Sequence, residues 1–161
     1  MPDVYDKQTR SRVMRSVKSR DTKPEMRVRR TLHAIGYRFR LHRGDLPGKP
    51  DITLPRHRTV IFVHGCFWHQ HDGCERAERP ASNTAYWQRK LLRNVERDRT
   101  NYLALEVAGW HVVTLWECEI DGAKNLADLL TEKLASQRFS VSPVSSPDSS
   151  TGNASVTSAS R

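Results

Sequence analysis

A chain of 161 residues can bury one well-formed core but not two. Lys and Arg number 27 against 18 Asp and Glu, and the first forty residues alone hold 12 basic and 4 acidic ones, so most of the formal +9 lies at one end. An arm of this charge suits a polyanion, because each neutralised phosphate releases condensed counterions. No stretch approaches the roughly 18 apolar residues of a membrane span, and the start lacks the apolar region of a secretory signal, which points away from membranes and towards the cytoplasm.

In chain order, residues 9–18 can form a short basic helix with Val13, Met14 and Val17 on one side. A second helix opens at Thr22, whose hydroxyl stands at capping-box spacing from Glu25, and stops near Gly36, a residue suited to a left-handed C-terminal turn. Residues 37–42 alternate, and the Gly- and Pro-containing stretch 44–50 then turns the chain into β-rich runs at 51–54 and 59–64, joined by a short turn. Together these predict a β-meander. A Gly-, Cys- and His-rich loop follows, then a long helix over about 84–108 ending before Gly109, and a buried strand at 110–116. Strand, crossover helix and strand predict parallel pairing. A last helix covers roughly 123–137, after which Ser, Thr and Pro replace core-forming residues. The reading is one α/β domain over 1–138, with a basic arm at 1–20 whose charge would suit DNA, ribosomal RNA or an acidic membrane surface alike, and a disordered tail over 139–161.

Cys66, Cys74 and Cys118 are an odd number of cysteines, ill suited to a disulfide framework in a compartment that keeps thiols reduced. Residues 66–74 bring two thiols and two imidazoles into nine positions, and Cys118 arrives just after the last strand. Three sulfurs and one nitrogen complete a closed tetrahedral zinc site, with His71 the preferred nitrogen ligand and His69 the alternative that spacing leaves open. Four protein ligands leave no position for an activated water, so such a zinc is structural. The competing reading is three buried free cysteines.

Catalysis therefore belongs elsewhere. Phosphodiester hydrolysis needs oxygen ligands for a hard cation and a nearby base. Asp51 opens the first hairpin arm, where a carboxylate and a strand-end carbonyl can meet; an Asp after Pro is also an ordinary turn residue. Asp98 falls within the stripe Leu91, Val95, Tyr102 and Leu105 of the long helix, so it either faces a partner inside or pairs with Arg97 or Arg99. Glu25 lies on the stripe of Val28, Leu32 and Ile35, although its capping role alone explains it. His64 and His69 flank the corner after the second arm, where an imidazole can serve as acid and base near neutral pH. Phe67 and Trp68 at the loop tip and Trp87 in the first turn of the long helix suggest an aromatic wedge that unstacks DNA where a mismatch has already weakened it. Covering the zinc sulfurs is the alternative task for Phe67 and Trp68, and Met14 invites the same two readings from the opposite side.

Five blocks make the sequence recognisable: residues 3–21, LPGKPD at 46–51, VIFVHGCFWH at 60–69, NVERDR at 94–99, and the stretch from Gly109 to Cys118. Over residues 3–135 the chain resembles the very short patch repair endonucleases. The resemblance implies a restriction-endonuclease-like mixed β-sheet flanked by helices, and magnesium-dependent cleavage 5′ of the thymine in a T:G mismatch left by deamination of 5-methylcytosine. It implies that Asp51 and the backbone carbonyl of Val63 bind magnesium, that His69 acts at the scissile phosphate, and that Glu25, His64 and Asp98 hold its coordinated water or orient His69. It further implies a major-groove wedge of Phe67, Trp68 and Trp87, a minor-groove approach by Met14, and a structural zinc on Cys66, His71, Cys74 and Cys118. Family members often carry Thr at position 63, but a backbone ligand does not depend on the side chain. The expected partner is mismatched double-stranded DNA, met by a monomer linked in function to mismatch-repair proteins and a cytosine-5 methyltransferase. Two other classes fit the residues alone, a non-catalytic zinc DNA-binding module and a general restriction-type nuclease of the same fold.

Overall fold

A computed structural model describes residues 6–136. The expected tail over 139–161 lies outside the described residues. Four strands, β1 (Arg40–Leu41), β2 (Ile52–Leu54), β3 (Thr59–His64) and β4 (His111–Trp116), form one mixed sheet in the order β1-β2-β3-β4. Around it lie α1 (Lys7–Ser16), α2 (Lys23–Ala34), α3 (Thr84–Val107), α4 (Glu117–Gly122) and α5 (Leu126–Ser136). The first two pairings are antiparallel, and β3 runs parallel to β4 from Thr59↔His111 to His64↔Trp116, as a strand–helix–strand unit predicts.

Alternation along the strands sorts side chains onto two faces. Ile52, Leu54, Ile61, Val113 and Leu115 meet Val28 and Leu32 of α2, Ile120 of α4 and Leu130 and Leu134 of α5 in the larger core. Val60 and Phe62 point the other way, onto Leu105 of α3 and Trp110. Each fully buried leucine or isoleucine contributes roughly 1.5–3 kcal/mol, and β2 with most of β3 is buried on both faces. This parity has a consequence for the site. Asp51 and His64 share the phase of Thr53 and Phe62, so both face α3, where Asp98 resides.

Local chemistry sets the helix ends. The Thr22 hydroxyl accepts from the Glu25 amide, and the Glu25 carboxylate accepts from the Asp21 amide at 3.0 Å, so the expected cap forms. Gly36 and Gly109 end α2 and α3 at φ +93° and +81°, the left-handed conformation that glycine adopts without strain.

Four details differ from the sequence reading. β1 is only two residues long where 37–42 was expected, because His42 at φ 45° turns out of the strand. A short helix, α4, follows β4 directly, its first turn held by the Glu119 carboxylate on the Trp116 amide. The last helix begins at Leu126 instead of residue 123. Val95 is 38% exposed, so the inward stripe of α3 runs through Trp87, Leu91, Asp98 and Leu105 without it.

Candidate active site and cysteine–histidine cluster

A cleft of about 1000 Å³ runs between the end of α1, the start of α2, the mouth of the β2–β3 hairpin and α3. Glu25, Asp51, Val63, His64, His69 and Asp98, all singled out from the sequence, line this one space, with Met14 and Trp68 at its walls.

Asp51 is held by its Oδ2, which accepts from the Val63 amide at 2.8 Å. Burial pushes its carboxyl up to about 6; the Val63 amide pulls the other way, and the Glu25 charge adds to the rise. A partly buried carboxylate beside a second one is an environment that a hard cation relieves, and its donors are oxygens, as magnesium requires. Glu25 is 3% exposed and is gripped by Arg29, whose Nη2 lies 3.0 Å from its Oε2. The same Nη2 donates to His42 Nε2 at 2.9 Å, and Nη1 donates to Asp21 at 2.6 Å. A guanidinium only donates, so His42 Nε2 accepts. Arg29 thus supplies a cation to the Asp21–Glu25–His42 group, although one guanidinium offsets only one of the two carboxylate charges. Sequence reasoning missed Arg29 and His42, although Glu25 and Arg29 stand at i,i+4 spacing, where ion pairs form.

Across the cleft, His69 Nδ1 meets Asp98 Oδ2 at 2.5 Å, while Arg97 lies 3.6 Å from the other oxygen. Histidine, not arginine, is thus the main partner of Asp98. Burial works to raise the Asp98 carboxyl but is outweighed by the His69 hydrogen bond and the neighbouring positive charges, leaving it below the usual carboxylate range. The His64 ring stacks on His69 with centroids 3.7 Å apart and planes 9° apart. Burial first, then His69, pushes His64 down to about 3, so it is neutral near pH 7. Tyr102 Oη lies 3.0 Å from its Nε2 and accepts from Thr114 at 3.4 Å. The ligand atoms of His64, His69 and Asp98 are close enough together to suggest a metal site. A metal lies in the plane of its imidazole ligand, however, and two parallel rings cannot both point at one ion. The stack reads as a support for the His69–Asp98 pair.

Phe67, Trp68 and Trp87 pack into one aromatic group, with Phe67 edge-on to Trp68 at 5.0 Å and to Trp87 at 5.4 Å. Only Phe67 and Trp68 are half-exposed. Trp87 is 5% exposed, so it forms the floor of the group and not its outer edge. Lys90 Nζ lies 5.3 Å from the Trp68 ring and 5.6 Å from that of Trp87, placing a cation at the cleft side of the aromatics.

Two residues beyond His69 the loop changes character. His71 Nδ1 lies 3.3 Å from Cys118 Sγ and 3.8 Å from Cys66 Sγ, and Cys74 completes a group whose ligand atoms all lie within 4.8 Å of one another. A zinc tetrahedron has ligand edges of roughly 3.5–3.8 Å, so these four residues fit that ion. They meet because β3 and β4 run parallel and in register, bringing Cys66 just past one strand end beside Cys118 just past the other. Of the two histidines that spacing left open, His71 faces the sulfurs and His69 faces Asp98. Burial pushes the Cys66 thiol up to about 12, a penalty that a bound cation removes by stabilising the thiolate.

The model of the DNA mismatch endonuclease Vsr family matches residues 2–76. The chain is 45% identical over 135 residues to DNA mismatch endonuclease Vsr of Escherichia coli K12, covering 83% of this chain and 86% of that one. This chain belongs to the Vsr family. Another relative, the type II nicking enzyme V.XorIIP of Xanthomonas oryzae pv. oryzae, is 49% identical over 120 residues, 74% of this chain and 88% of its own length. Among solved structures, the catalytic domain of the homing endonuclease I-Bth0305I superposes with a TM-score of 0.50 at 17% identity, covering 73% of this chain and 98% of that domain. That likeness concerns the fold alone, and it extends the mixed α/β architecture of this Vsr family member to a nuclease domain of different sequence.

Proposed function

We propose that this Vsr family member is a magnesium-dependent endonuclease with a restriction-endonuclease-like fold that nicks double-stranded DNA 5′ of the thymine in T:G mismatches and so begins very short patch repair. The observation that carries this reading is the shared cleft, where Asp51 beside Glu25 faces the His69–Asp98 pair across a space walled by basic side chains. A magnesium ion held by Asp51 and the Val63 carbonyl would supply Lewis-acid stabilisation of charge developing on the phosphate. The chain's own groups do the rest. The Val63 amide fixes the Asp51 carboxylate, and the α2 cap with Arg29 fixes Glu25. Asp98 accepts from His69 Nδ1, so Nε2 is the nitrogen that accepts or returns a proton at the scissile phosphate. His64, neutral and stacked, keeps that ring in plane. Phe67 and Trp68, backed by Trp87, enter the major groove as a wedge while Met14 approaches through the minor groove, at lowest cost where a wobble pair has weakened the stack. A structural zinc on Cys66, His71, Cys74 and Cys118 holds the loop that presents both wedge and His69.

The reading places the protein in the cytoplasm as a monomer, functionally linked to mismatch-repair proteins and a cytosine-5 methyltransferase. No helix among the described residues is long and apolar enough to cross a membrane. End-labelled cleavage of T:G and fully paired duplexes with magnesium tests the proposal. One nick 5′ of the mismatched thymine, absent without a divalent cation, is the expected result. Equal cutting of paired DNA would make it a general nuclease of this fold, and binding without cutting would make it a zinc DNA-binding module.

A further inference from the structure

In the loop from Cys66 to Cys74, the Gln70 side chain serves neither the cleft nor the sulfur cluster. Gln70 stands at φ 52°, a left-handed conformation that glycine and asparagine adopt more readily. Its neighbours are committed on either side, His69 to Asp98 and His71 to the sulfurs. Both donors and the oxygen of its own amide are engaged. Nε2 donates to the Phe67 carbonyl at 2.7 Å and the Ala77 carbonyl at 3.2 Å, and Oε1 accepts from Arg79 Nε at 2.7 Å. Phe67 is thereby tied across the loop to the segment that follows Cys74. The next carbonyl, that of Trp68, is held separately by Asn94 at 3.1 Å.

We propose that Gln70, braced by Arg79, is a positioning residue for mismatch discrimination, holding the Phe67 backbone so that the aromatic wedge is ordered before it meets DNA. The inference rests on the wedge reading above. The edge-on contacts of the Phe67 ring with Trp68 and Trp87 depend on where its backbone sits. A wedge already fixed in one orientation loses less freedom on insertion, and this advantage is realised where the stack opens easily, at a mismatch. It also explains a glutamine at a backbone position that would otherwise favour glycine, since glycine has no side chain to span two carbonyls.

The test uses the full chain with its metal content and thermal midpoint recorded, and duplexes carrying 2-aminopurine beside a T:G or a T:A pair. Gln70→Asn keeps a residue at ease in the left-handed region but shortens the amide by one methylene, and Gln70→Met keeps the length and removes all three hydrogen bonds. Arg79→Leu removes the outer brace alone. Wild type is expected to raise 2-aminopurine emission with T:G and to nick it in preference. Both Gln70 variants should lose about tenfold of that preference, through a higher half-saturating duplex concentration at an unchanged saturating rate and with weaker emission; Arg79→Leu should lose about threefold. Gln70→Asn with intact metal content, intact midpoint and wild-type preference would overturn the proposal. Should Gln70→Asn lose metal or melt early, Arg79→Leu decides, since an unchanged preference there overturns the brace and a reduced one supports it. Wild type without any T:G preference would defeat the wedge reading and the brace together, whereas a wild-type preference shared by every variant defeats the brace alone.

Discussion

His69 and His71 are two positions apart on one loop, yet one ring faces oxygen and the other sulfur. His69 Nδ1 meets a carboxylate at 2.5 Å, while His71 Nδ1 lies 3.3 Å from a cysteine sulfur. Residue type is identical, so the neighbours decide: an acidic partner suits an imidazole to proton transfer, whereas thiols suit the same atom to a soft metal. The left-handed turn at Gln70 between them keeps the two environments apart. Asp51 and the cluster contrast in the same way, hard oxygen donors in an open cleft against sulfur donors in a closed group.

The largest effect is expected from Asp51→Asn, on the oxygen side. It should lower single-turnover nicking of a T:G duplex by at least about 10³-fold while leaving duplex affinity within a few-fold of wild type. A loss below tenfold would mean that the cleft is not the reactive centre. Next come the two histidines side by side. His69→Ala should cost roughly 10²–10⁴ in rate yet keep bound zinc and the thermal midpoint, whereas His71→Ala should release zinc and lower the midpoint by about 10 °C, as metal analysis and calorimetry would record. Equal metal loss in both variants would mean that the two rings do not serve separate sites.

Acid–base linkage offers a smaller effect with a defined sign. Folded Asp51 holds its proton up to about pH 6, above its unfolded value near 4, so its contribution to stability falls as pH rises through that window. His64 acts oppositely, because burial pushes it down to about 3 while the unfolded ring titrates near 6.5, and its contribution grows as pH rises between those values. Asp51→Asn should therefore stabilise the metal-free protein by on the order of 2 kcal/mol at pH 7 and by little at pH 4, measured by denaturant titration. A gain independent of pH would contradict the sign. The smallest expected change is Val63→Thr, which leaves the amide that holds Asp51 in place and should alter nicking by less than about threefold.

Much of this was legible in the sequence because it rests on local rules. The Thr22–Glu25 spacing announces the α2 cap, the hairpin runs announce β2 and β3, and the thiol and imidazole spacing announces the cluster. What escaped depends on burial and tertiary placement. Arg29 at i+4 from Glu25 is an ordinary surface pattern until both are found enclosed, and Tyr102 counts as apolar in a helical stripe until its hydroxyl is seen beside His64. Val95 has helical spacing from Leu91 but stands at the edge of the inward stripe of α3, where spacing alone does not say how wide the covered face is. Likewise nothing local distinguishes Trp87 as a floor from Phe67 as an edge.

The parallel register of β3 and β4 carries a consequence for assembly of the molecule. Cys66 and Cys118 become neighbours only after the intervening crossover has returned the chain alongside its earlier strand, so closing that long loop precedes completion of the ligand set. On the proposed zinc reading, metal capture would report finished topology: a spectroscopic ion such as cobalt should acquire its four-ligand colour no faster than the sheet itself forms.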